Sequence, residues 1–417
     1  MNTSATPGDL ARAQQCFQRG DLITAGSLCR QVLQVQHQNP EALQLLATVL
    51  ERQGQLPLAA QVARQWIAVC PGDGAAHRFL GGVQRRLGDL AGAMDSWQRA
   101  TYLPGLHGDL YCALALGWLE QGQDAAALQA VAAAQCDATV HEDALRLHIT
   151  LLHGMQHFDE ARQMLGDALF RLSRVGDTEQ ILALWLTLFP QDEVPQHRLA
   201  AQGRADIPPR AGDAYVTYLF DHYAASFDRD LARLDYQAPA LIARQLAQTL
   251  PPAQGTWRVL DAGCGTGLCG PLLRPYARHL AGVDLSAAMV AKAAERGDYD
   301  HLVVAELTAY LGTCRHSYEL IVSADTLVYF GELREVLAGM AHALVAGAWL
   351  AFSLESKESA DDSPWQLSQS GRYVHGAAYV QQALDAAGLR LVSMTPATLR
   401  MNERQPVKGL IILASSQ

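Results

Sequence analysis

The chain has 417 residues, and at roughly 100 to 200 residues per domain it predicts two or three domains, each long enough to bury a core. Hydrophobic residues make up 49% and charged residues 18%, which excludes wholesale disorder and a fibrous architecture. The formal charge is −10, with 13 basic against 18 acidic residues before residue 190 and 19 against 24 after it, so neither half offers a basic face to a nucleic-acid backbone.

The opening segment MNTSATPGDLARA has no basic region followed by an apolar stretch, so it does not read as a secretory signal and a cytoplasmic protein is expected. Val336 to Leu354, the longest uncharged run of the second half, is interrupted by Gly339, His342 and Gly347. It reads as helix, turn and strand, with no membrane span. The eight cysteines include no Cys-x-x-Cys pair and no zinc-ligand spacing, which suits reduced thiols and no disulfide framework.

Gly20, Gly54, Gly88 and Gly122 stand 34 residues apart, and five residues after each comes Ala25, Ala59, Ala93 and Ala127; the alanine period holds once more at Ala161. The surrounding text recurs as RGDLITA, QGQLPLA, LGDLAGA, QGQDAAA and, with its glycine replaced, MQHFDEA. A glycine ending one helix and a small residue near the start of the next, at this period, predict a solenoid of helical hairpins. These marks, with Pro71 twelve residues after Ala59, resemble tetratricopeptide (TPR) repeats. About five repeats then fill residues 1–189, with Glu179 to Phe189 as a capping helix. The resemblance implies a groove for a protein or peptide partner, with dimerisation of the chain as the alternative use of the array. His148, His153 and His157 have helical spacing only in part and no acidic or cysteine ligand to complete a set, so no metal site is expected.

Residues 190–213, PQDEVPQHRLAAQGRADIPPRAGD, hold four prolines and no hydrophobic period, and predict a linker. From 214 to 417, WRVLDAG, HLAGVDL, HLVVAE, ELIVSAD, AWLAFSL, LRLVSM and VKGLIILA alternate with helical stretches. That alternation predicts a mostly parallel sheet covered by helices, with ligands beyond the carboxyl ends of its strands.

The first of those loops reads VLDAGCGTGLCG. It contains G-x-G-x-x-G at Gly265, Gly267 and Gly270, which alone would suggest a dinucleotide and a nicotinamide-dependent oxidoreductase. A more demanding pattern overlaps it: Asp261, Gly263, Gly265 and Gly267 at alternate positions, with the acid at the strand's end. In this the second half resembles class I S-adenosylmethionine (SAM) methyltransferases, a Rossmann-like α/β fold. The pairing with TPR repeats is similar to a group of bacterial TPR-containing methyltransferases, and to the malonyl-carrier-protein and trans-aconitate carboxyl methyltransferases. The architecture expected is therefore multidomain, an all-α TPR solenoid followed by an α/β methyltransferase domain.

The resemblance implies SAM as cofactor, S-adenosylhomocysteine as product, and a set of contacts. Asp261, Gly263, Cys264, Gly265 and Gly267 would hold the methionine part. Asp284, 19 residues after Gly265, would take the ribose, followed by Leu285, a helix cap at Ser286 and Met289 near the adenine. Glu306, where the family usually carries Asp, and Leu307 would meet the base. Tyr223 and Phe227, in an aromatic helix with Tyr215 and Tyr218, would cap the pocket. After the fourth strand SADTLVYF brings Ala324, Asp325 and Tyr329 to the methyl group. Arg372 and His375 complete the catalytic candidates, with Tyr218, Tyr373 and Arg400 for substrate, Arg404 nearby, and no metal. The expected activity is methylation of a partner recruited by the repeats. A small-molecule carboxyl methyltransferase and a non-catalytic SAM sensor are the alternatives.

Overall fold

The 34-residue marks of the first half are turns between antiparallel helices. Gly20, Gly54, Gly88 and Gly122 have φ of +83°, +74°, +82° and +68°, a region that a Cβ penalises, and Gln156, at the fifth position of the period, adopts it too at +64°. Ala25, Ala59, Ala93, Ala127 and Ala161 are all fully buried, so the small side chain is where helices approach. The helices are α1 (Pro7–Gln18), α2 (Leu22–Val35), α3 (Pro40–Arg52), α4 (Leu56–Val69), α5 (Gly74–Arg86), α6 (Leu90–Thr101), α7 (Gly108–Glu120), α8 (Asp124–Gln135), α9 (Glu142–Gly154) and α10 (Phe158–Ser173). Asp21, Asn39, Asp73 and Asp89 start α2, α3, α5 and α6 by accepting backbone N–H groups at 2.9 to 3.1 Å. The computed structural model describes residues 7–104, 108–135, 142–173, 178–358, 363–402 and 404–417; Cys136 lies outside them.

Internal contacts divide the chain between Leu165 and Gly166, within α10, and not at the 189/190 boundary read from composition. Nor is 190–213 a plain linker. After α11 (Glu179–Leu188) comes α12 (Glu193–Ala201), capped by Asp192 through the Val194 N–H at 3.1 Å, with Val194, His197 and Ala200 buried. Composition missed this helix because Pro195 and scattered charges hide its short apolar face. The aromatic segment is two helices, α13 (Asp213–Tyr223) and α14 (Phe227–Arg233), followed by α15 (Ala238–Thr249).

The elements that follow are β1 (Trp257–Ala262), α16 (Gly270–Leu273), β2 (Ala277–Asp284), α17 (Ala287–Arg296), β3 (His301–Val304), α18 (Leu307–Thr313), β4 (Tyr318–Ser323), α19 (Arg334–Ala343) and β5 (Leu344–Ser356). Then come β6 (Trp365–Leu367), β7 (Tyr373–His375), α20 (Ala377–Ala386), β8 (Leu389–Asn402) and β9 (Gln405–Ser416). Strands β3-β2-β1-β4-β5 are parallel in that order; β9 runs antiparallel beside β5, and β8 antiparallel beside β9. Beyond that, the carboxyl end of β5 pairs at Glu355 and Ser356 with β7, which carries β6. The seven expected strands are present. The β6–β7 hairpin was not expected, because three-residue strands leave no periodicity to read.

The central strands are continuous apolar runs because helices cover both faces. Ile242 and Leu246 of α15 pack with Val259, Leu320, Ile411 and Leu413 in one buried cluster, each such side chain contributing about 1.5–3 kcal/mol by leaving water. Strand order reverses between β1 and β4, so the crevice beyond their carboxyl ends is where a ligand belongs.

Candidate active site

The loop after β1 is shaped by three glycines that do different work. Gly263, Gly265 and Gly267 have φ of +80°, +53° and +85°. A Cβ on Gly263 would run into the Thr326 side chain, and one on Gly267 would come within 3.2 Å of the Ala293 Cα and 3.1 Å of the Tyr299 ring. A Cβ on Gly265 would meet only Phe227, at 4.0 Å; its open side is a cavity that both residues line. The N–H groups of Gly263 and Cys264 donate to the Val283 carbonyl at 2.8 and 3.0 Å, joining the loop to the end of β2. There Asp284 accepts from the Gly265 N–H (2.8 Å) through one carboxylate oxygen and from the Ser286 N–H (2.9 Å) through the other.

The cavity encloses about 1000 Å³ of space between atoms, its open mouth included. Gly263, Cys264, Gly265, Asp284, Leu285, Glu306, Leu307 and Ala324 line it, as does Phe227. Four residues expected with them do not. Gly267 is spent on packing against α17. Met289 is fully buried, with its N–H capped by Ser286 Oγ at 3.1 Å. Asp261 lies behind the loop, fully buried: Oδ2 accepts from the Tyr299 hydroxyl at 2.6 Å, and Oδ1 has no partner among the described residues. Burial pushes its pKa up to about 7, opposed by the Tyr299 hydrogen bond and assisted by the charge of Asp284.

Tyr223 is the fourth. It is exposed, and the ring of Phe170 stands edge-on to it at 5.0 Å. Tyr218, a substrate candidate, is also turned away from the cavity: its hydroxyl donates to the Gly166 carbonyl at 3.2 Å and Trp185 packs against its ring. The reason is helical geometry. Val216 and Phe220, four apart on α13, face the cavity, so Tyr218 and His222 take the opposite side. Phe220, which spacing alone did not single out, packs edge-on against both Tyr329 (5.4 Å) and Phe227 (5.9 Å).

Asp325, Tyr329 and Arg372 line the far wall. Asp325 has φ of +56°, in the left-handed region that residues with a Cβ populate sparsely and aspartate more readily than most. Ser353 Oγ donates to its Oδ1 at 3.1 Å and accepts from its backbone N–H at 2.8 Å. Arg372 Nη1 and Arg400 Nη1 donate to its Oδ2 at 3.2 and 3.1 Å, and the same two arginines reach Glu355 Oε1 at 3.2 and 2.6 Å. The result is a quartet of two acids and two arginines, Glu355 and Arg400 buried and Asp325 and Arg372 facing the cavity, drawn from four separate segments of the chain. Burial works to raise the Glu355 pKa, but the charges of Arg372 and Arg400 outweigh it and the net direction is down. Arg400 therefore acts from behind the wall and does not line the cavity, and neither does Arg404.

His375 and Tyr373 are also corrected. His375 is fully buried on β7, its Nε2 directed at the carbonyls of Phe330 (2.9 Å) and Gly331 (3.2 Å). Carbonyls only accept, so Nε2 carries the hydrogen; burial lowers the pKa to about 4, against those two hydrogen bonds. Nδ1 is buried without a partner among the described residues and the ring does not line the cavity, so His375 is not placed to act there as a general base. Tyr373 donates to the Pro208 carbonyl at 2.7 Å. Both were placed near the site by their neighbour Arg372, but strand alternation turns them off it.

The sequence did not single out Tyr236 or Arg210, and both line the cavity beside the expected Tyr329. Neither tyrosine hydroxyl hydrogen-bonds to the described residues. Arg210 reaches the cavity from a strap formed by Pro208–Ala211. Gly331 and Glu332 donate their N–H groups to the Pro209 carbonyl, and the Ala211 N–H donates to the Tyr329 carbonyl, all at 2.8 Å. No sequence signal marks this strap beyond its two prolines. Among the described residues no cluster of His, Cys, Asp and Glu has metal-holding geometry, and no helix is long and apolar enough to cross a membrane.

A family model described as a methyltransferase domain matches residues 259–347, and one described as a tetratricopeptide repeat matches 40–83. Methyltransferase-like protein 27 of Homo sapiens is 36% identical over 116 residues, 28% of this chain and 45% of that protein. A malonyl acyl-carrier-protein O-methyltransferase of Enterobacter lignolyticus is 32% identical over 177 residues, 40% of this chain and 68% of that protein. The chain thus spans less than half of the first relative and about two thirds of the second. The crystal structure of a SAM-dependent methyltransferase from Mesorhizobium loti matches at 19% identity over 41% of this chain and 96% of that one, with a TM-score of 0.34.

Proposed function

The chain belongs to the class I SAM-dependent methyltransferases, and on that premise we propose that it methylates a carboxylate borne by a protein or peptide that the repeats recruit. SAM supplies a methyl group on a sulfonium sulfur, which keeps the electron pair of the broken bond and leaves as S-adenosylhomocysteine when an acceptor oxygen forms the new one. The residues present fit that cofactor. Gly265 leaves room where a Cβ would stand in the cavity, Asp284 offers acceptors to the ribose hydroxyls, and Phe220 and Phe227 cover the site with apolar surface that excludes water.

The observation that carries the acceptor class is Arg372. Its Nη1 is committed to Asp325 and Glu355, while Nη2 and Nε, on a side chain that lines the cavity, make no hydrogen bond to the described residues. Two adjacent N–H donors match the two oxygens of a carboxylate, and Tyr236 and Tyr329, whose hydroxyls have no partner among the described residues, line the same cavity. An ionised carboxylate has no proton to lose, so alignment suffices and the absence of His375 from the cavity removes nothing. The relative named for O-methylation of a malonyl group on an acyl-carrier protein supports an acceptor of this kind on a protein carrier.

The test incubates the full chain with methyl-tritiated SAM and a cell extract, then treats the labelled product with alkali. A methyl ester releases volatile tritiated methanol. Label that survives alkali would overturn the carboxylate reading, and label appearing only on a free small molecule would favour the alternative in which the repeats serve dimerisation. Calorimetry with S-adenosylhomocysteine and, separately, NAD checks the cofactor beneath it.

A further inference from the structure

Arg210 precedes every strand of the sheet, yet its side chain lines the cavity. The strap that carries it is fixed by backbone: beyond the bonds at Pro209 and Ala211, Arg210 itself forms an antiparallel bridge with Phe330. From there Nη1 donates to Asp213 Oδ1 at 2.9 Å and to Glu306 Oε1 at 3.3 Å.

Glu306 sits two residues past Val304, which is the register partner of Asp284, so it stands beside the acid assigned to the ribose. Its lone pairs can be counted. Oε1 accepts from the Thr308 N–H (3.0 Å) and Arg210, and Oε2 accepts from the Ala309 N–H (2.6 Å). A carboxylate offers about four acceptor directions, so one is left, on Oε2. Arg210 retains Nη2 and Nε without a partner among the described residues. One free acceptor and one free charged donor therefore stand side by side at the rim of the cavity.

We propose that Arg210 is a specificity-determining residue of the cofactor site, reading the adenine edge jointly with Glu306. The exocyclic amino group of adenine donates to Glu306 Oε2, and the adjacent ring nitrogen accepts from Arg210. Hypoxanthine, with a carbonyl for the amino group and a hydrogen on that ring nitrogen, presents both groups reversed and leaves both protein partners unmatched. The inference rests on the methyltransferase reading.

The test is calorimetric titration of the full chain, wild type and Arg210→Gln, with S-adenosylhomocysteine and with its hypoxanthine analogue S-inosylhomocysteine. The wild type is expected to prefer the adenine ligand by about a hundredfold or more. Arg210→Gln is expected to weaken the adenine ligand roughly ten- to hundredfold, the loss of one hydrogen bond from a charged donor, and to leave the analogue nearly unchanged, so that the ratio collapses. Equal weakening of both ligands means a purely structural role and overturns the proposal, as does no change in either. Wild type that binds neither ligand overturns the cofactor reading itself, and this inference with it. The strap's hydrogen bonds are made by backbone atoms, so Arg210→Gln keeps them; Arg210→Lys, which retains the charge, reads the same ratio should the first variant fail to fold.

Discussion

Ser286 Oγ donates to Asp221 Oδ1 at 2.5 Å, joining helix α13 to the turn that follows Asp284. A matching tie holds the other cofactor loop: Thr266 Oγ1 donates to Asp228 Oδ1 at 2.5 Å, and Arg296, whose Nε donates to the Thr266 carbonyl, pairs with the same acid. The aromatic cover of the cavity is thus fastened by two carboxylates, one to each loop. Asp221→Ala and Asp228→Ala are each expected to lower stability by about 1–2 kcal/mol and to speed release of S-adenosylhomocysteine. Stopped-flow dissociation measures this; unchanged release rates in both variants would mean that the cover does not control the site.

The three glycines of the first loop should fail in different ways when replaced by alanine. All carry a left-handed penalty of about 1–2 kcal/mol. Gly265→Ala adds no clash, since its Cβ would have only Phe227 near it; the variant should fold, with a small drop in melting temperature and a large drop in ligand affinity. Gly263→Ala drives a Cβ into Thr326, and should lose several kcal/mol of stability before binding is at issue. Urea unfolding and calorimetry on the pair separate the outcomes.

Much of this was legible in the sequence and some was not, for reasons that particular residues illustrate. The repeat marks were readable because a positive φ demands glycine and a tight helix contact demands alanine; even Gln156, where the glycine is missing, keeps the turn. The loops after β1 and β2 were readable because backbone geometry and a carboxylate are needed at fixed spacing. What depended on the facing of a helix or strand was not. Tyr218 and Tyr223 share a segment with Phe220, and His375 is three residues from Arg372, but only three-dimensional packing decides which of them turns inward. Glu355 and Tyr236 carried no signal at all, since each meets the wall from a distant element.

Asp261 gives a pH dependence of definite sign. Its folded pKa is raised from 3.8 to about 7, so between those values the folded state binds more protons than the unfolded one and stability falls as pH rises; above pH 7 the full penalty applies. A shift of this size corresponds to at most about 4 kcal/mol. Asparagine cannot ionise, so Asp261→Asn should gain relative to wild type as pH increases from 5 to 8. Unfolding free energies of the ligand-free proteins at three pH values check it, and a difference that stays constant across the range would contradict the assignment.

Glu355 works in the opposite sense. Its pKa is lowered because the charges of Arg372 and Arg400 outweigh its burial, so its contribution is present above the ordinary glutamate value near 4.5 and is lost as pH falls through the lowered one. Replacing it by glutamine leaves Arg400, itself buried, facing Asp325 alone. Breaking a buried pair in this way is expected to cost about 3–5 kcal/mol. If the carboxylate acceptor proposed for Arg372 is right, the variant should also lose catalysis more than S-adenosylhomocysteine affinity, because Glu355 fixes the position of that arginine. Equal losses in both would place Glu355 outside acceptor positioning.

The segment before α13 decides where the methyltransferase begins. Composition suggests residue 214, but a fragment starting there would lose the Pro209 carbonyl that serves Gly331 and Glu332, the Ala211 N–H, the Pro208 carbonyl that holds Tyr373, and His197, whose Nε2 donates to the Gly371 carbonyl at 2.9 Å while its ring packs on Tyr215 at 4.0 Å. Each buried group left without its partner costs about 1–3 kcal/mol, and several such losses together approach the whole stability of a domain. Residues 214–417 are therefore expected to aggregate or to unfold without a sharp transition, whereas 166–417, which keeps α11, α12 and the strap, should unfold cooperatively and bind S-adenosylhomocysteine. Scanning calorimetry of the two fragments makes the comparison. A 214–417 fragment that binds as tightly as the full chain would show that the strap, with Arg210 on it, is dispensable to the cavity it lines.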